Sequence, residues 1–153
     1  MRTSVILVDH GSRRSQSNRM LEKVVELVRE TTGWEIVEAA HMEIAEPSIG
    51  AAFDRCVARG AELVVVQPFV LLPGRHWRDD IPRLVAEAAA RHPGVRWLVT
   101  APLGDHPLMA RIVADRIDGC LACARSEAPP CEVCGDPDRC RLRGCTMEPE
   151  DGP

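Results

Sequence analysis

Four histidines and one glutamate stand where short aliphatic runs give way to loops. His10 follows the run at 4–9, His41 and Glu43 follow the one at 34–40, His76 lies beyond 61–67, and His106 lies beyond 95–100. Neutral imidazole, joined by carboxylate, is a ligand set for borderline divalent metals such as cobalt, iron, nickel and zinc, and imidazole also accepts a proton near pH 7. The residue types therefore point to metal handling coupled to proton transfer. Two of the histidines sit beside glycine and arginine, in Asp9-His10-Gly11-Ser12-Arg13-Arg14 and Gly74-Arg75-His76-Trp77-Arg78. Glycine lets a ligand approach the backbone, and the guanidinium fork of arginine suits carboxylate or phosphate. Arg13, Arg14, Arg75 and Arg78 are thus candidate anion-binding residues, with a solvated surface as the plainer alternative. Loop hydrogen bonding is the plainer role for His41 and His106. A helix-start carboxylate is the plainer role for Glu43, because Pro47 and Ser48 follow. His92 reads as a helix C-terminal residue facing the dipole.

A second group is made of thiols. Six of the seven cysteines lie from residue 120 onward, as Cys120-x-x-Cys123, Cys131-x-x-Cys134, Cys140 and Cys145. In a reducing compartment such an array favours metal or cluster binding over disulfides. Four thiolates suit zinc, and iron–sulfur clusters use the same ligands. Cys56 falls on a predicted helix and reads as core.

The elements that must position these groups alternate. Aliphatic runs at 4–9, 34–40, 61–67 and 95–100 read as strands, separated by amphipathic segments; this is the pattern of a parallel sheet with helices on both faces. Ser17 or Asn18 is a candidate cap for a helix to about residue 31, where Leu21, Val24, Val25 and Val28 recur at helical spacing. Pro47-Ser48 starts a helix that ends at Gly60, a third helix covers 79–91 with Pro82 in its first turn, and the last covers 107–119. In such sheets ligands bind beyond the carboxyl ends of the strands, so His10, His41, Glu43, His76 and His106 are expected to line one crevice. The expected organisation is an α/β domain over 1–119, an irregular cysteine-rich segment over 120–147 that apolar burial alone cannot fold, and a frayed terminus over 148–153.

Composition narrows the function classes. With 153 residues, 45% apolar and five aromatic side chains, the chain suits one aliphatic core rather than disorder or two domains. The net charge of −4 and the lack of basic runs argue against a general nucleic-acid binder, and no apolar run approaches membrane-spanning length. The expected location is cytoplasmic. Among the 19 cationic residues only Lys23 is not arginine, a bias that codon usage or anionic ligands would both produce. The Asp9-His10-Gly11 turn also invites comparison with phosphohistidine phosphatases. There an arginine precedes the histidine; here Asp9 puts an anion where a transferred phosphoryl group needs a cation, which argues against that chemistry.

Taken in order, Val8-Asp9-His10-Gly11-Ser12-Arg13, Ala40-His41-Met42-Glu43-Ile44-Ala45-Glu46-Pro47-Ser48-Ile49, Phe69-Val70-Leu71-Leu72-Pro73-Gly74-Arg75-His76 and Pro102-Leu103-Gly104 with His106-Pro107-Leu108 resemble the small sirohydrochlorin chelatases. These class II chelatases put cobalt, iron or nickel into a modified tetrapyrrole. The resemblance spans residues 4 to about 117. Pattern and resemblance together give a flavodoxin-like, parallel four-stranded sheet. The resemblance implies energy-independent chelation with His10 and His76 at the tetrapyrrole cleft and Glu43 as a third metal-side group. It also implies Arg13, Arg14, Arg75 and Arg78 as clamps for the macrocycle's carboxylates, and a homodimer in which each copy contributes His10 and His76. Trp77 is a candidate for stacking on the macrocycle or for packing.

The segment Cys131-Glu132-Val133-Cys134 with Cys140-Arg141-Leu142 is similar to a cysteine-rich extension of plant ferrochelatases that holds an iron–sulfur cluster. That similarity implies a cluster on Cys120, Cys131, Cys134 and Cys140, with Cys123 and Cys145 as alternates. Zinc and redox-active thiols remain alternatives. A competing function from another class is a non-catalytic metal-storage or redox-sensing protein on the same fold.

Overall fold

The computed structural model describes residues 1–131, 133–135, 139 and 141–142, in two compact units, Met1–Gly104 and Asp105–Pro153. In the first unit, β1 (Thr3–Asp9), β2 (Val37–His41), β3 (Leu63–Pro68) and β4 (Arg96–Val99) form one parallel sheet in the order β2-β1-β3-β4. The helices are α1 (Ser15–Thr32), α2 (Ile49–Ala58) and α3 (Ile81–Ala89), with a π-helical turn at His76–Asp80 just before α3. The expected parallel sheet with helices on both faces is present.

Strand β1 shows why. Its residues alternate between faces, as a period of two requires. Ile6 and Val8 join Ala40, Val64 and Val66 in a cluster with Phe53 of α2 and Ile81 and Val85 of α3. Val5 and Leu7 join Val37 against Leu21 and Val25 of α1. Right-handed crossovers dictate this division: the step from β1 to β2 runs one way along the sheet and the step from β2 to β3 runs back past β1, so α1 and α2 fall on opposite faces. The reversal leaves a topological switch point between β1 and β3, where the loops beyond the strands diverge.

Local details differ from the sequence expectation in three places. Helix α1 starts at Ser15, with Arg14 as its N-cap and no side-chain cap. Asn18 instead exchanges two 2.9 Å hydrogen bonds with the Ser12 backbone, pinning the loop after β1 to the helix. Strand β2 begins at Val37 rather than residue 34, because α1 closes on a left-handed Gly33 (φ 73) and Trp34 swings outward, 43% exposed. The third helix is expected from residue 79, whereas regular α-helix begins at Ile81 after the π turn. The cap at Ser48 is as expected, its hydroxyl accepting from Ala51 N–H.

In the second unit α4 (Pro107–Ala124) runs five residues beyond the expected end at 119, because Leu121, Ala122 and Ala124 continue the helix through Gly119. Cys120 and Cys123 therefore lie on a helix, not in irregular chain, and the compact units divide after Gly104 rather than after 119. Among the described residues no helix is long and apolar enough to cross a membrane. Cys56 is fully buried, and that burial pushes its thiol up to about 11.

Helices α2 and α3 are also joined at the surface. Asp54 accepts from His92 at 2.6 Å and from Arg91 at 2.9 Å, while the His92 ring stacks on Phe53. The His92 hydrogen bond, with Arg91 beside it, holds the Asp54 carboxyl below its ordinary value near 3.8. A depressed folded value adds stability above that ordinary value, and the increment disappears as pH falls through the folded value. The pair is half exposed, so Asp54→Asn should cost about 1 kcal/mol or less at neutral pH. Urea unfolding of wild type and variant should converge in strong acid; a constant gap would assign the effect to packing.

Candidate functional site

Strand β1 ends in Asp9, paired in register with His41 at the end of β2. One Asp9 oxygen accepts from the Gly11 backbone N–H at 2.9 Å and from His41 Nδ1 at 2.6 Å, with His41 only 2% exposed. Beyond the strands the backbones stay zipped, Met42 N–H to Asp9 O at 2.8 Å and Glu43 N–H to His10 O at 3.2 Å. Gly11 takes φ 88, and a Cβ there would lie 2.1 Å from Glu43 O, so only glycine lets the two loops close. The outcome is a His10–Glu43 pair across the two loops, with Nε2 to Oε1 at 2.7 Å. Next to it, Ile44 holds φ 72, a left-handed backbone that is costly for a β-branched residue.

His76 reaches the same place from the other side of the switch point. It opens the π turn after β3, and its ring meets the His10 ring edge-on, with centroids 5.3 Å apart. Its Nδ1 donates to Asp80 Oδ2 at 2.8 Å, and Arg75 Nε lies 4.0 Å from the same oxygen. Trp77 donates Nε1–H to Thr100 O at 2.8 Å and so fastens this loop beside β4. A cleft of about 470 Å³ is lined by Met42, Glu43, Arg75, His76, Asp80, Arg83 and Leu84.

Three of the expected residues, His10, Glu43 and His76, thus come together. His10 Nε2 and Glu43 Oε1 are spaced as neighbouring donors around one ion, since bonds of roughly 2.1 Å at right angles put donors about 3 Å apart. Among the described residues no set of three His, Cys, Asp or Glu is grouped as a metal-ion site.

One expected histidine, His41, does not join them. His41 is buried against Asp9 and organises the loop from behind. His106 caps α4 in the second unit, its Nδ1 accepting from Leu108 N–H at 3.2 Å. The helix-start role weighed for Glu43 belongs to Glu46, which accepts from Ser48 N–H at 2.7 Å. Arg75 lines the cleft. Arg13 and Arg14 lie exposed after β1 and Arg78 lies exposed in the π turn, none with a side-chain hydrogen bond or ion pair among the described residues. Asp80 and Arg83 were missed from sequence, although Asp80 stands four residues after His76 and Arg83 seven, the spacing of one helical face.

In the second unit, Cys131 to Gly135 forms a turn closed by Gly135 N–H to Cys131 O at 3.0 Å. The Cys134 backbone N–H, followed by its thiol and by Val133 N–H, draws the Cys131 thiol below its ordinary value. Cys140 and Cys145, and with them the expected terminus at 148–153, lie outside the described residues.

Comparison with known proteins meets this geometry. The CbiX family model matches residues 4–120. The chain is 54% identical over 138 residues to the chloroplastic sirohydrochlorin ferrochelatase of Arabidopsis thaliana, covering 90% of this chain and 61% of that protein. It is 30% identical to the sirohydrochlorin cobaltochelatase of Methanopyrus kandleri, covering 77% of this chain and 96% of that protein. In structure it resembles the sirohydrochlorin chelatase SirB of Bacillus subtilis subspecies spizizenii in complex with cobalt, with a TM-score of 0.72 and 30% identity over 77% of this chain and 50% of that one. The chain thus spans less than two thirds of the plant protein and half of the cobalt-bound one.

Gly11→Ala should lower the unfolding free energy by more than about 1 kcal/mol, because the added methyl meets backbone and the φ is unfavourable. It should also separate the His10 ring from Glu43, seen as a shift of the His10 imidazole NMR signals. An unchanged urea midpoint and unchanged imidazole signals would show that the turn does not depend on glycine.

Proposed function

The chain belongs to the CbiX family, and from that premise we propose that it is a sirohydrochlorin chelatase, inserting cobalt or iron into the macrocycle with release of two protons. The observation that carries this is the convergence of His10, Glu43 and His76 at the switch point. An incoming aquo-ion must lose waters while two pyrrole nitrogens lose protons. Imidazole and carboxylate serve both ends, holding the ion and accepting protons. His10, Glu43 and His76 are the metal-side and proton-accepting groups. Arg13, Arg14, Arg75 and Arg78 receive the carboxylate rim, three of them being free of side-chain partners among the described residues. Nickel is the third candidate ion: the affinity order for such ligands runs nickel over cobalt over iron, so availability decides between the cobalamin and sirohaem branches.

The assembly we propose is a homodimer, in which two copies present their His10 and His76 to one macrocycle. The exposure of both His10 and His76 at one edge of the sheet supports it, since a second copy can face them across one macrocycle. We place the reaction in the cytoplasm, where a thiol-rich chain stays reduced; the plant relative's name places that protein in the chloroplast.

The cysteine segment is proposed to hold an iron–sulfur cluster on Cys120, Cys131, Cys134 and Cys140, with Cys123 and Cys145 as alternates. Among the described residues Cys120, Cys123, Cys131 and Cys134 are not gathered as a metal site; what supports the reading is Cys131, whose sulfur the backbone N–H groups of Cys134 and Val133 draw toward the thiolate, the form that ligates. A bound cluster would supply one-electron chemistry, which redox-neutral metal insertion does not use, so its proposed role is stabilising or regulatory.

The deciding measurement is absorbance-monitored insertion of cobalt, iron and nickel into sirohydrochlorin under anaerobic conditions. Wild type should accelerate insertion, and His10→Ala/His76→Ala should return the rate to the uncatalysed level while the mass in solution stays that of a dimer. No acceleration with any ion would leave a metal-storage or redox-sensing protein. Cys131→Ser/Cys134→Ser should remove the visible absorption of a cluster and spare insertion; loss of insertion would make the cluster catalytic.

A further inference from the structure

The two site histidines are held in different ways. Both ring nitrogens of His10 face protein groups, Nε2 bonded to Glu43 at 2.7 Å and Nδ1 3.4 Å from Gly11 O. His76 spends only Nδ1, on Asp80, and its Nε2 has no protein partner among the described residues. A carboxylate accepts and does not donate, so Asp80 requires the N–H of His76 to sit on Nδ1 and leaves the lone pair on Nε2.

Asp80 is also the better anchored member of the pair. It closes the π turn, and the next residue, Ile81, is buried in the core with its N–H on His76 O. Its side chain is 23% exposed against 51% for His76. It makes no cap hydrogen bond to α3, so its carboxylate is not needed to start that helix. Single π turns of this kind recur at functional sites because they re-aim one side chain.

We propose that Asp80 is a positioning residue that turns His76 into the nitrogen that captures the incoming divalent ion, while the His10–Glu43 pair serves mainly as proton acceptor. The inference rests on the chelatase reading for its meaning in turnover, but its core, an Asp80-oriented ligand, is a statement about metal binding by the apoprotein. Carboxylate partners behind metal-binding histidines are commonly worth 10–100-fold in metal affinity.

The test uses cobalt alone as the first probe, read by the visible ligand-field absorption of the apoprotein without turnover, and then steady-state insertion. Asp80→Ala should weaken cobalt binding about 10–100-fold and raise the metal KM by the same factor, with the sirohydrochlorin KM and the thermal midpoint unchanged. Asp80→Asn, whose amide oxygen still accepts from Nδ1, should recover cobalt binding to within a few-fold of wild type. Glu43→Gln should lower kcat with a smaller effect on cobalt binding. Unchanged cobalt affinity in Asp80→Ala, or equal losses in the alanine and asparagine variants, would overturn the proposal. If wild type inserts no metal but Asp80→Ala still weakens cobalt binding, the chelatase reading fails and the positioning role stands.

Discussion

One carboxylate oxygen of Asp9 joins the ends of the two strands that carry His10 and Glu43. It receives the His41 ring and the Gly11 backbone together, in a partly buried setting where charge-assisted hydrogen bonds are strong and an unpaired group is costly. Gly11 turns because its N–H is held there, the loops lie close because Gly11 has no Cβ, and His10 meets Glu43 because the loops lie close. The strands only bring the chain to this edge. The carboxylate decides what happens past it.

The sheet topology makes that edge useful. Strand order β2-β1-β3-β4 reverses beside β1, so His10 and His76 leave neighbouring strands from opposite sides of a natural crevice. Charge is distributed to match. Arginines on the helical flanks are neutralised locally, Arg55 and Arg59 on Glu38, Arg91 on Asp54 and Arg29 on Glu26. Arg13, Arg14 and Arg78, in the segments that follow β1 and β3, have no such partner among the described residues. A chain of negative total charge can in this way present uncompensated cationic groups at one edge of its sheet.

What was legible in the sequence was whatever depends on residue type along the chain. Continuous aliphatic runs gave away the buried strands, and helical spacing gave away α1 to α3, because burial on both sheet faces leaves little choice of side chain. The residues at strand ends marked the edge, and three of them do converge. Less legible was anything set by contact between segments. His41 and His10 look alike as strand-end histidines, and only the register of β1 with β2 puts one inside against Asp9 and the other outside against Glu43. Asn18 has the type of a helix cap, whereas its amide serves the Ser12 backbone. Gly119 has the type of a helix stop, but a glycine flanked by good helix formers costs only about 1 kcal/mol and α4 passes through it.

The burial of Cys56 has a consequence for the chemistry of the whole chain. With its thiol near 11 and no exposed surface, roughly one such group in ten thousand is thiolate at neutral pH, and that one is shielded. Cys131, in the second unit, is drawn the other way. In the folded protein Cys56 is in this way silent toward oxidants and alkylating agents. Modification of Cys56 is then a chemical signature of unfolding of the α/β unit.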